Sequence, residues 1–114
     1  MPTAIRLSTG GWRSPEVRLA LTPRARLRGM RAVTPGTGIL LRTSWVHGRG
    51  LPGPIGLVRI DRDGVATATE VLPAGGHRRF PGRGWVLELP AGTPLPPVGA
   101  MLSAGPIFAG CPAA

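Results

Sequence analysis

Residues 46–64 read VHGRGLPGPIGLVRIDRDG, and residues 86–93 read VLELPAGT. The first stretch divides into three parts. Residues 47–54 are dense in Gly and Pro and predict a loop. Residues 55–60 predict a strand. Asp61-Arg62-Asp63-Gly64 then predicts a tight hairpin, because Gly accepts positive φ at little cost. The run from Val65 to Leu72 sets Val65, Thr67, Thr69 and Val71 against Ala66, Ala68, Glu70 and Leu72. That period of two supplies the returning strand. In the second stretch, together with Trp85, the residues Trp85, Leu87 and Leu89 share one face and Val86 and Glu88 the other. A turn over Pro90-Ala91-Gly92-Thr93 follows. These segments predict a sheet built from hairpins and a buried strand.

Further strands are expected on either side. Residues 4–7 predict an edge strand, followed by a Gly-rich turn over 8–13. Residues 16–21 point Val17, Leu19 and Leu21 one way and Arg18 and Ala20 the other. Thr22-Pro23 opens a short helix over 22–30, since Thr caps free N–H groups and Pro suits the first turn. Leu27 and Met30 face the sheet, while Arg24, Arg28 and Arg31 line the opposite side. Residues 38–46 predict a strand with Ile39, Leu40 and Leu41 buried. Residues 73–83 predict a loop, and residues 98–103 a last strand. The expected fold is mostly β (α+β): a small barrel-like antiparallel or mixed sheet with one short helix near 22–30. One domain covers residues 1–105, with a flexible tail over 106–114.

Composition agrees with a single small domain. The chain has 114 residues, 42% of them hydrophobic, enough for one core. The 18 Gly and 14 Pro would suit a disordered chain, but the apolar periodicity decides for a folded one. All fourteen basic residues are Arg, and Lys, Asn, Gln and Tyr are absent. The net charge of +9 is uneven: eleven Arg precede residue 63, against only Glu16 and Asp61. Such a field attracts polyanions, and Arg13, Arg18, Arg24, Arg28 and Arg31 are the residues expected to hold one. Cys111 is the only cysteine, which leaves no intrachain disulfide. The N-terminus has no apolar signal-peptide core, and no run approaches the ~18–20 apolar residues of a membrane span. A cytoplasmic protein without a transmembrane segment is expected.

Three stretches resemble the family called Domain of Unknown Function 192. TPRARLRGM at 22–30 resembles its helix, with Arg26 three residues before Gly29. Residues 46–64 resemble its central segment, typically V-H-T-F-G-M-R-F-P-I-D followed by a strand and D-x-D-G. VLELPAGT resembles its closing strand. The resemblance spans residues 16–103. Val46, His47, Gly50, Pro54, Ile55, Asp61, Asp63 and Gly64 match. Arg49 replaces an aromatic residue, Leu51 a Met, Pro52 and Gly53 a basic and an aromatic residue, and Gly56 an aspartate. The resemblance implies that the architecture is kept while the loop has been rewritten, so any activity needing that aspartate is lost. It also implies an envelope or pilus-assembly context.

Candidate site residues are few. His47 stands where a strand meets a Gly-rich loop and could contact a ligand or serve only the structure. Glu88 lies inside a strand expected to be buried, where a carboxylate needs a partner, and Arg26 is the natural one. Arg26, His47 and Glu88 therefore form the expected ligand-binding set, with a purely structural Arg26–Glu88 pair as the alternative. Asp61 and Asp63 are read as turn formers. No metal site is expected, because His77 is the only other His and no ligand spacing fits. No cofactor is expected, and no catalytic set is complete. Three functions remain open: a non-enzymatic ligand- or partner-binding module near the 47–56 loop, an Arg-rich polyanion (nucleic-acid) binder, and a small-molecule enzyme using His47 and Glu88.

Overall fold

The computed structural model describes residues 4–20 and 35–106. Among the described residues ten strands follow one another: β1 (Ala4–Thr9), β2 (Trp12–Arg13), β3 (Val17–Ala20), β4 (Gly38–Leu41), β5 (Trp45–His47), β6 (Ile55–Ile60), β7 (Ala66–Leu72), β8 (His77–Arg79), β9 (Trp85–Leu89) and β10 (Ser103–Pro106). The protein is mostly β, as expected. The helix expected near 22–30 lies outside the described residues, as do Leu27, Met30 and the tail that carries Cys111.

Eight strands form one sheet in the order β10-β1-β3-β4-β9-β6-β7, with β2 paired to β1. β3 and β4 run parallel and the other pairs antiparallel, so the sheet is mixed. It curls on itself. Gly99 and Ala100 exchange backbone bonds with Ala66, and Val65 bridges to Met101. The same chain then runs on as β10 and pairs with β1. One extended segment thus joins both ends of the sheet order. Along the rest of β7 the outer edge carries no strand among the described residues.

The central strands β4 and β6 are buried along their whole length, and β9 from Val86 onward. This is why GILL and IGLVRI read as apolar runs with little alternation: both faces are covered. On the concave face, Val17, Leu40, Val58, Leu87 and Leu89 form the main core. On the second face, Ile55, Leu57, Leu72 and Val86 are covered by Val46 and Phe80. These two belong to a separate two-stranded ribbon, β5 paired with β8, and to the residue that follows it. Burying Phe80 and Val46 contributes roughly 1.5–3 kcal/mol each. A smaller apolar group, Ala20, Ile39 and Leu41, lies elsewhere on the sheet.

The turns read from sequence take the expected form. Gly64 has φ 91°, and the Asp61 carboxylate accepts from the N–H groups of Asp63 and Val65, both at 2.9 Å. Gly92 has φ 83° and Thr93 N–H donates to the Pro90 carbonyl at 3.1 Å, the pattern of a turn with Gly in its third position.

Five expectations need correction. β1 lies inside the sheet, between β10 and β3, and not at its edge. The single strand over 38–46 is two strands in different sheets, β4 and β5, because the chain leaves the main sheet at 42–44. The loop over 73–83 contains β8. The last strand begins at Ser103, and residues 98–102 form the crossing segment. Finally, Ala20 is buried as Val17 is, while Arg18 and Leu19 are both half-buried, so β3 does not divide into a buried Val17–Leu19 face and an exposed Arg18–Ala20 face.

Candidate functional site

The β5–β8 ribbon is short and strictly alternating. Trp45 pairs with Arg79, Val46 with Arg78, and His47 with His77. Val46 faces the sheet and is 3% exposed. Its neighbours must then face outward, since side chains alternate along a strand. Trp45, His47, His77 and Arg79 accordingly share the outer face.

The ribbon is anchored from beneath by Arg59, a β6 residue only 4% exposed. Its guanidinium donates to the carbonyl of Thr43 at 2.6 Å and of Gly82 at 2.8 Å. Two longer bonds, both 3.4 Å, go to the carbonyls of Trp85 and Pro81. No carboxylate pairs with it among the described residues. Burial pulls its pKa below the ordinary arginine value, and the carbonyl dipoles replace its lost hydration. Ser44 completes the join: its carbonyl accepts from Phe80 N–H at 2.7 Å and its hydroxyl donates to the Gly82 carbonyl at 2.7 Å. Phe80 meets two cations, with the Arg78 guanidinium 4.4 Å and that of Arg59 5.5 Å from the ring centre. Arg78 also pairs with Glu70 at 2.6 Å. At the far end, Gly48 bonds Gly75 and Gly76, which fixes the start of the 48–54 loop.

The outer face has a distinct chemistry. Trp45 is 47% exposed, and its ring centre is 5.4 Å from that of His47, tilted by 48°. The backbone N–H of Arg49 donates to His47 Nδ1 at 3.3 Å. With Nδ1 accepting, the neutral imidazole carries its proton on Nε2, and the ring presents a donor rather than a metal-ligating lone pair. Arg49, Arg79 and Arg83 are exposed and make no ion pair among the described residues. Arg83 adjoins Gly82, which Ser44 holds beside Trp45. No acidic residue occurs between Val17 and Ile60 or between Val71 and Leu87. The ribbon therefore offers an exposed indole, two imidazoles and three free guanidinium groups, with no carboxylate from either of its own segments.

His47 is thus part of the ribbon's outer polar face. Val46 packs with Val86 on the sheet's second face, and Glu88 shares that side of β9. His47 points away from it. Glu88 is 3% exposed, opposite Ile39 and Leu57 in register, and is engaged in a polar interaction. Arg26 lies outside the described residues, as do Arg24, Arg28 and Arg31. Arg13 is exposed on β2 and Arg18 half-buried on β3. A base and an acid working on one substrate must both reach it within hydrogen-bond distance or through one water. His47 and Glu88, on opposite sides of the ribbon, lack that geometry. Among the described residues no group of three or more His, Cys, Asp or Glu could hold a metal ion, and no helix is long and apolar enough to cross a membrane.

A cleft does open beside Gly56, lined by Pro54, Val71, Thr93 and Leu95 among others. Its volume is about 90 Å³, well below the ~300–1,000 Å³ typical of small-molecule pockets. A Cβ at Gly56 would stand 2.9 Å from Leu95 Cδ2. Leu95 thus occupies the space that a side chain at 56 would need.

Sequence reasoning missed His77, Arg79 and Arg83 as companions of His47. The signal was weak: HRR lies in a Gly- and Pro-flanked stretch that reads as loop, and only its pairing with β5 makes it a strand.

Comparison with solved structures finds the same fold in two bacterial proteins. One, from Sinorhizobium meliloti 1021 and bearing the name "putative transcription regulator", superposes with a TM-score of 0.63 at 22% identity, over 91% of this chain and 94% of that one. The other, a protein of unknown function from Novosphingobium aromaticivorans, gives 0.67 at 15% identity, over 90% and 84%. Likeness at these identities establishes the shared fold alone. No family model matches the chain, and no curated protein matches it.

Proposed function

We propose that this chain is a divergent relative of the Domain of Unknown Function 192 family and works as a non-enzymatic binding module. Its ligand is anionic and docks on the outer face of the β5–β8 ribbon, where the 47–56 loop begins. One observation carries the reading: Trp45 stays half-exposed opposite Arg79, on a ribbon whose own two segments hold cations and no carboxylate. Exposed large aromatics are informative because folding ordinarily buries them. Here the ring sits among free guanidinium groups, and an anion with some apolar surface satisfies both.

Family membership is supported by the turns. The Asp61–Gly64 hairpin and the Pro90–Thr93 turn keep the geometry that the matched residues require. The rewritten positions fall in the loop and at Gly56, where Leu95 fills the place of the family's aspartate. A binding role fits this pattern better than catalysis does, since His47 and Glu88 face different ways.

The test is equilibrium binding of a labelled heparin oligosaccharide, which carries anionic groups and no base. Wild-type protein binds it with an affinity that falls as salt rises. Three guanidinium contacts give a slope of log K against log salt of roughly −2. Arg79→Ala combined with Arg83→Ala flattens the slope. An affinity unchanged by the double substitution would place the site elsewhere, for example around Arg13 and Arg18.

A further inference from the structure

We infer that the ligand of this surface is single-stranded nucleic acid, held by a base stacked on Trp45 and by phosphates on Arg49, Arg79 and Arg83, without reading of sequence. The inference rests on the proposed anion-binding role and names the ligand class.

The aromatic ring is what separates this ligand from other polyanions. Heparin or polyphosphate needs only the guanidinium groups. Trp45 adds an aromatic ring on a residue that is 47% exposed, with its partner His47 at 5.4 Å on the same face. Stacking of a base on such a ring and tracking of the backbone by flanking cations is how single strands are bound without sequence preference. The cations come from both segments of the ribbon. Arg79 is directly opposite in register, Arg49 follows His47, and Arg83 adjoins the Gly82 carbonyl that Ser44 holds. His47 adds an outward Nε2–H donor.

The ring also selects single strands over duplex. In a duplex the π-faces of the bases are hidden by their neighbours, so an indole on a three-residue ribbon has nothing to stack on. A two-stranded ribbon can enter a major groove, and duplex binding is therefore one outcome of the test. Sequence-blindness follows from the division of labour, with the three Arg on phosphates and one ring that stacks on any base. Asn and Gln, the bidentate readers of adenine, are absent from the entire chain. The platform is rigid as well. Arg59 fixes both segments at its base through Thr43 and Gly82, so little ordering is needed when a strand binds.

The experiment is fluorescence anisotropy on the full chain with three labelled probes: a twelve-residue oligo-dT, a duplex of equal length and a heparin oligosaccharide. Trp45→Ala weakens oligo-dT binding roughly ten- to a hundredfold, as expected for one lost stack, and leaves heparin binding within about twofold. Trp45→Phe retains a ring and stays within a few-fold of wild type, which also guards against misfolding of the Ala variant. Arg79→Ala weakens binding of both oligo-dT and heparin. If Trp45→Ala leaves oligo-dT unaffected, or if duplex binds as tightly as oligo-dT, the nucleic-acid inference is overturned while anion binding stands. If neither oligo-dT nor heparin binds, the anion-binding role itself fails.

Discussion

The guanidinium of Arg59 reaches the carbonyl of Thr43 at 2.6 Å, from a buried strand of the main sheet to the turn that launches the ribbon. This contact explains why residues 38–46 are not one strand. The chain is drawn off the sheet at 42–44, and the cation that draws it sits within IGLVRI, a run that otherwise reads as plain core. Arg59→Met keeps the volume and removes four donor contacts. It leaves the Thr43 carbonyl without its partner and the Gly82 carbonyl with the Ser44 hydroxyl alone, and destabilises the fold by about 2–4 kcal/mol. Urea unfolding checks the magnitude. A change below about 0.5 kcal/mol would mean that Arg59 does not anchor the ribbon.

Gly84 covers the same cation. A Cβ there would stand 2.4 Å from the Ile60 carbonyl oxygen and 3.1 Å from Arg59 Cζ. Backbone cannot yield as a side-chain tip can, so Gly84→Ala costs about 1–3 kcal/mol. Gly56→Ala meets only the end of Leu95 and costs less. Thermal unfolding of the two variants should rank them in that order, and the reverse ranking would refute the packing described around Arg59.

Restoring an aspartate at position 56 tests the reading of the cleft. Gly56→Asp drives a carboxylate into a space bounded by Leu95 and Val71. It lowers stability by about 1–3 kcal/mol, through overpacking and burial of a charge. Pairing it with Leu95→Ala relieves the clash and recovers part of the loss. A stability unchanged by Gly56→Asp alone would show the cleft to be roomier than Leu95 leaves it.

The hairpin turn should behave as local chemistry dictates. Asp61→Ala removes the acceptor of the Asp63 and Val65 N–H groups and costs about 1–2 kcal/mol. Asp63→Ala, whose carboxylate makes no bond among the described residues, stays within about 0.5 kcal/mol. Equal losses would contradict the assigned roles.

These contrasts show which parts of the fold were legible beforehand. Asp61-x-Asp63-Gly64 and Pro90–Thr93 were readable because a turn is written in adjacent residues. β6 and β9 were readable because apolar runs demand burial. β8 was not, since His77-Arg78-Arg79 has no strand preference of its own and is extended only through pairing with β5 and the burial of Phe80. The site suffered the same way. His47 was singled out from its place at a strand end. Its neighbours Arg79 and Arg83 come from some thirty residues downstream, and charge counts drew attention to the Arg-rich N-terminal half instead. Glu88, marked by the cost of burying a carboxylate, lies on the sheet face that the ribbon covers, while His47 points outward from the ribbon.

The most direct test of the ribbon as binding surface uses the three indole N–H signals of the protein in a proton–nitrogen correlation spectrum, assigned with Trp45→Phe. Trp12 donates its indole N–H to the Pro94 carbonyl at 2.8 Å and is 8% exposed, so it serves as an internal reference. On titration with oligo-dT, the Trp45 signal should shift in a saturable way while that of Trp12 stays in place. Saturable binding with the Trp45 signal unmoved would contradict the account, because the ligand would then be held away from the β5–β8 ribbon.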